Sequence, residues 1–140
     1  LSGYEDASAF KLFCVDTGLL GAMVGLDVRT VLEGSRLFTE FKGALSEQYV
    51  EQELVAQGFH PVYWSSDTGT AETDFAITHA GSPLPIEVKA SVNLRSKSMK
   101  VARDKFGFDH AVRASLAGYR KEDWLTNIPL WAIGSIDALA

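Results

Sequence analysis

Two short runs with strand-like alternation, residues 72–79 and 84–90, flank Ala80-Gly81, and this hairpin constrains the chain more than any other feature. A two-residue turn with Gly at one of its central positions suits the twist of an antiparallel pair. That turn sets Asp74 opposite Glu87 and Glu72 opposite Lys89. Since neighbours along a strand alternate, these four side chains share one face, while Phe75, Ile77, Ile86 and Val88 take the other. One face is therefore fit for burial and the other carries three carboxylates and a lysine. A slip of one residue would scatter the cluster.

Carboxylates set directly opposite each other repel, and folding gains nothing from the arrangement unless a cation lies between them or one takes up a proton. A hard divalent ion such as Mg²⁺ or Mn²⁺ resolves the conflict with a few carboxylate oxygens plus water, leaving positions for a phosphate. Lys89 is near enough to orient a metal-bound water and to offset charge on a phosphorus-centred transition state. The alternative is an ordinary cross-strand ion pair between Glu72 and Lys89, with Asp74 capping a bulge.

Upstream of the hairpin, Phe38, Phe41, Leu45, Tyr49, Val50 and Leu54 recur at helical spacing, which predicts a long amphipathic helix over 36–57 closed by Gly58. Glu47 shares a face with Val50, Glu51 and Leu54, at the edge of the stripe that would pack on the sheet. It either joins the acids of the hairpin or solvates an exposed face with Glu51 and Glu53. Before this helix, Asp16 or Thr17 caps a short helix from about Leu19 that Gly25 stops, and 26–35 read as a connection. After it, 59–64 read as a strand, 65–71 as a polar loop, 96–106 as a second amphipathic helix, and 109–115 and 129–134 as further strands.

The 140 residues suit one α/β domain, with 1–35 as a helical lead-in and 36–140 as the core. At 46% apolar residues and only 4 Pro, the chain can bury a true core, and no apolar run reaches the about 18 residues of a membrane span. Cys14 is the only cysteine, so no internal disulfide forms, and with three scattered His it makes no structural zinc site; a reducing cytoplasm suits such a chain. His60, His79 and His110 lack close-spaced ligand partners. The chain opens Leu1-Ser2-Gly3-Tyr4 without a Met, a basic n-region or an apolar h-region, which reads as a fragment of something longer.

With 13 Lys plus Arg against 18 Asp plus Glu, the net charge of -5 argues against a protein that grips nucleic acid by bulk basicity. The distribution is uneven, however. Arg95, Lys97, Lys100, Arg103 and Lys105 face a single acid, Asp104, just after Lys89, and Arg113, Arg120 and Lys121 extend the basic stretch. Such a helix beside a metal site can track a phosphate backbone, or it can simply be a solvated face. Tyr63-Trp64 reads as core rather than as a base-stacking platform.

Glu47, Asp74 and Glu87-Val88-Lys89, in that order, resemble the signature of the PD-(D/E)xK nuclease superfamily, with Thr73 where the superfamily name has Pro. The strings at 11–20, 43–47, 63–64, 72–75 and 85–91, with Lys97-Ser98 and 127–130, are similar to a domain of unknown function that follows the ATPase and winged-helix modules in prokaryotic AAA+ ATPases. The resemblance implies a restriction-endonuclease-like αβββαβ core with a central mixed sheet flanked by helices, and Mg²⁺- or Mn²⁺-dependent hydrolysis of DNA. By the same resemblance Asp74, Glu87 and the Val88 carbonyl would hold the metal, Glu47 would bind or orient its shell, and Lys89 would position the water. Upstream ATPase and winged-helix modules would be partners, with self-association left open. There is no G-x-x-x-x-G-K-[ST] string, so an ATP site would lie outside this sequence. The competing expectation is a non-cleaving module that docks DNA or protein with the same fold.

Overall fold

In a computed structural model, residues 8–33, 36–65 and 72–140 are described. The expected loop at 65–71 falls, beyond Ser65, outside the described residues, as do the first residues of the lead-in. A six-stranded mixed sheet, β1 Val62–Ser65, β2 Glu72–His79, β3 Ser82–Lys89, β4 Ala111–Ser115, β5 Arg120–Lys121 and β6 Leu125–Pro129, runs in the spatial order β1-β2-β3-β4-β6-β5. Helix α3, Arg36–Ala56, precedes the sheet, and α4, Lys97–Phe106, crosses between β3 and β4. The order α3-β1-β2-β3-α4-β4 is the expected αβββαβ.

The hairpin forms in the expected register, from His79↔Ser82 to Phe75↔Ile86. Ala80 and Gly81 both take positive φ, 48° and 81°, as a two-residue turn of the type I′ class requires. Strands β3 and β4 run parallel, as do β4 and β6. The long connection a parallel pair needs is supplied by α4, which Gly107 ends in the left-handed conformation.

Phe75, Ile77, Leu84, Ile86, Val112, Ala114 and Ile128 form one buried cluster with Val50 and Leu54 of α3 and with Ile133 and Ile136. This is the apolar face foreseen for the hairpin, continued across the sheet. On the other side Met99 of α4 packs with Ala111 and Leu125 in a smaller cluster.

Several elements differ from expectation. Residues 26–35 contain a helix, α2 Val28–Glu33, where a plain connection was expected. The lead-in's first helix, α1 Thr17–Met23, begins two residues early because the Asp16 side chain accepts the Leu19 N–H at 2.7 Å. The last strand is Leu125–Pro129, not 129–134; Leu130–Ser135 form a 3-10 helix, followed by α5, Ile136–Leu139. All five residues of β6 are buried, so it carries no alternation to read. Arg113 does not extend a basic surface: it lies on β4, 1% exposed.

Gln48 and Gln52 fasten the lead-in to α3. Gln48, itself buried, accepts the Cys14 N–H at 2.7 Å and donates to the Cys14 carbonyl at 2.9 Å, so one amide satisfies both polar groups of that residue. Gln52 accepts the Thr17 N–H at 2.9 Å, and Phe13 meets Phe75 with ring centroids 5.6 Å apart.

Candidate functional site

Backbone pairing of β2 with β3 stops at Phe75↔Ile86. One step further the register carries Asp74 and Glu87 to facing positions, and here a side chain takes over from the ladder: Asp74 Oδ2 accepts the Val88 N–H at 2.7 Å. The N–H and carbonyl of one strand residue leave on the same edge, so the Val88 carbonyl also faces the Asp74 side. Burial pushes the Asp74 carboxyl up to about 6; the Val88 N–H and Lys11 oppose this, while Glu47 and Glu72 add to it.

Glu87, 5% exposed, is held from two directions. Its Oε1 meets Lys89 Nζ at 2.9 Å, and its Oε2 accepts the Ser96 hydroxyl. Ser96 in turn accepts from Arg113 Nη1 at 3.0 Å, and the same nitrogen donates to the Leu94 carbonyl at 2.6 Å. Arg113 Nε reaches Asn127 Oδ1 at 3.0 Å. Its Nη2 is buried without a hydrogen bond among the described residues; Glu122 Oε1, at 3.7 Å, gives it an ion pair. Burial pulls the Arg113 pKa below its ordinary value, and Glu122 and Glu87 pull it back. Glu87↔Arg113 and Arg113↔Asn127 are register neighbours, so the network follows one face across three strands.

Glu47 lies on α3 with its carboxylate 3.2 Å from Lys11 Nζ. The Lys11 ammonium also stands over the Tyr63 and Phe75 rings, 5.4 and 5.9 Å from their centroids. Glu47 thus acts on Asp74 through its charge, and its own salt bridge is to the lead-in. His79 lies 3.3 Å from Asp137, His110 3.1 Å from Thr126 Oγ1, and His60 is exposed.

The residue types suit a magnesium-type cation. Among the described residues no three His, Cys, Asp or Glu side chains gather into a metal cage. Such an ion does not need one, because one or two carboxylates with water and substrate phosphate suffice. Asp74 and Glu87 supply that number from adjoining strands, beside the edge from which the Val88 carbonyl projects. The desolvated carboxyl of Asp74 is one that a cation would favour ionising.

The basic segment starts at this site, since Ser96 both bonds Glu87 and opens α4. Arg95, Lys97 and Lys100 are exposed. Arg103 is half-buried over the Trp124 ring, 4.9 Å from its centroid, and Lys105 lies 5.0 Å from that of Trp64. Trp64 packs edge-on against Phe106 at 4.9 Å, a structural contact.

Sequence reasoning missed Ser96, Arg113 and Asn127 as neighbours of the site. Asn127 stood in a string that carried the resemblance, but its spacing from the acids gave no sign of contact. Its role is visible in the fold: Oδ1 accepts from Arg113 and from Ser115 Oγ at 2.7 Å, and Nδ2 donates to the Gly118 carbonyl at 2.8 Å.

A family model described as a domain of unknown function, DUF4143, matches residues 42–133, from α3 to the 3-10 helix after β6. No curated protein matches the chain, and no solved structure does. No described helix is long and apolar enough to cross a membrane.

Proposed function

The chain belongs to the DUF4143 family, and from that premise we propose that it is a divalent-metal-dependent phosphodiesterase domain acting on DNA, similar to the PD-(D/E)xK nucleases. The observation that carries the reading is that two carboxylates stand on adjoining strands where the β2–β3 ladder ends, Asp74 bonded to the Val88 N–H at 2.7 Å and Glu87 with the Lys89 ammonium at 2.9 Å. Asp74, Glu87 and the Val88 carbonyl would hold Mg²⁺ or Mn²⁺. A bound ion of this kind supplies Lewis acidity toward a phosphoryl oxygen and makes a water more acidic.

The protein's own residues do the rest. Lys89 orients the attacking water and offsets charge that grows on the phosphoryl oxygens. Glu47 adds negative potential beside Asp74, which favours cation uptake. Arg95, Lys97 and Lys100 project from the segment that begins at the site, where they would contact backbone phosphates without reading sequence. The reading carries with it a place after ATPase and winged-helix modules, as the resemblance implies, and a cytoplasmic setting, which the lone Cys14 suits.

The test is Mn²⁺-dependent cleavage of plasmid or branched DNA by the protein and by Asp74→Ala, Glu87→Ala and Lys89→Ala. Each substitution should lower cleavage by about 10²-fold or more. Unchanged cleavage in all three rejects the site.

One observation favours a second reading, a non-cleaving docking module. Both oxygens of Glu87 are already engaged, by Lys89 and Ser96, and Glu47 is paired with Lys11. On this reading calorimetry finds no Mn²⁺ binding; binding that vanishes in Asp74→Ala counts against it.

A further inference from the structure

Ser96 sits at the N-terminal end of α4, where a serine ordinarily turns its hydroxyl onto a free backbone N–H of the first turn. It makes no such bond here, and donates instead to Glu87 Oε2. The direction of that bond follows from Arg113. A guanidinium only donates, so the Ser96 oxygen must accept the Arg113 Nη1 bond at 3.0 Å, and its single proton is left to point at the carboxylate.

Arg113 is itself held in place. Its Nη1 also grips the Leu94 carbonyl, and its Nε is fixed by Asn127, whose amide is tied to the Gly118 carbonyl and whose oxygen is tied to Ser115. A chain of oriented bonds therefore runs from β6 through Arg113 and Ser96 to Glu87. Lys89 completes it from the other oxygen.

We infer that Ser96 is a positioning residue for the Asp74–Glu87 centre: its hydroxyl, aligned by Arg113, sets the orientation in which Glu87 presents its carboxylate to a divalent cation. The inference rests on the reading of that centre as a cation site. Donors in this outer position orient ligating carboxylates, and their removal typically lowers metal affinity by 10- to 100-fold. Because Ser96 opens α4, the helix bearing Lys97 and Lys100 would also set the carboxylate, so phosphate contact and cation binding would share one support.

The experiment titrates Mn²⁺ calorimetrically into the wild-type protein, Ser96→Ala, Ser96→Thr, Arg113→Lys and Asp74→Ala, and records the cation-free melting temperature of each. Ser96→Ala should bind Mn²⁺ about 10-fold more weakly. Ser96→Thr, which keeps the hydroxyl, should restore the affinity, and Arg113→Lys, which loses the planar fork, should weaken it. Wild-type affinity in Ser96→Ala, or a loss that Ser96→Thr does not restore, overturns the inference and leaves the cation reading standing. No Mn²⁺ binding by the wild-type protein, or binding unchanged in Asp74→Ala, overturns both. If Ser96→Ala does not fold, Arg113→Lys decides: wild-type affinity there overturns the inference.

Discussion

The two faces of the sheet are both buried, yet they are closed by different chemistry. Under α3 lies an apolar layer in which Phe75, Ile77, Ile86, Val112, Ala114 and Ile128 meet Val50 and Leu54. On the α4 side the same strands turn up Glu87, Arg113, Ser115 and Asn127, all buried and joined by hydrogen bonds. The apolar face gains from area removed from water and tolerates repacking. The polar face gains only while every partner is in place, because each lost bond strands a desolvated group. Apolar burial holds the α3 face, and a polar network beside the small cluster of Met99, Ala111 and Leu125 holds the α4 face.

The largest expected effect separates the two directly. Arg113→Ala takes the buried donor from the Leu94 carbonyl and from Ser96, one of two donors from the Asn127 oxygen, and the ion-pair partner from Glu122, and should cost about 4 kcal/mol in urea unfolding. Ile128→Ala, at an equally buried position one residue from Asn127, should cost about 3 kcal/mol as a cavity and its lost transfer energy. The contrast lies in rescue. Ile128→Val should recover most of the loss, since volume alone is at stake, whereas Arg113→Met should fill the space and still leave Glu87 poorly held. Recovery by Arg113→Met of both stability and Mn²⁺ binding would show that the polar face is held by packing after all.

Asp74 sits where the polar face reaches the end of the ladder, and its ionisation can be read in stability. Its folded pKa of about 6 lies above the ordinary value of 3.8, so the native state holds more protons than the unfolded state between those values. Stability therefore falls as pH rises through this window, and the cost is fully present above about pH 6. Asp74→Asn keeps an oxygen for the Val88 N–H and removes the charge. Allowing for partial exposure, it should stabilise the protein by about 1–2 kcal/mol at pH 8, with the gain gone by about pH 4. Saturating Mn²⁺ should reverse the order, since a cation bound at Asp74 stabilises only the wild-type protein. A gain from Asp74→Asn that is the same at both pH values would place its cause in packing rather than charge.

The apolar face was far more legible in the sequence than the polar one, and the reason is physical. Phe75, Ile77 and Ile86 announce their side by period, and Ala80-Gly81 fixes which residues face each other. Glu87 and Lys89 came with that register. Arg113, Ser96 and Asn127 did not, because a buried polar residue is placed by partners distant in the chain, and nothing local separates it from a surface one. Arg113 therefore read as part of a basic surface, and the last strand was placed at 129–134 rather than Leu125–Pro129, since Thr126 and Asn127 interrupt what would otherwise be a buried run. The helix α2 was missed for a related reason: six residues present too little period to count. The Gln48 clamp on Cys14 is the same lesson outside the site. Gln48→Ala should cost about 1–2 kcal/mol and speed amide exchange of the lead-in selectively, with β2 and β3 unaffected.

The smallest expected effect acts on the device that assigns residues to faces. Ala80 holds φ at 48°, a left-handed conformation that Asn and Gly adopt more readily than Ala. Ala80→Asn gives the turn the Asn-Gly pair favoured in two-residue hairpins and should stabilise by about 0.5–1 kcal/mol, read as a higher urea midpoint with an unchanged slope. Its position at the hairpin tip, away from both buried layers, makes it a control for the comparison of faces. A gain in stability without a change in Mn²⁺ affinity means that register was already held by the buried strands and the turn only relieved local strain. A gain in both means that the wild-type turn lets the ladder slip often enough to part Asp74 from Glu87, so that the placement of the two acids depends on a turn at the far end of the hairpin.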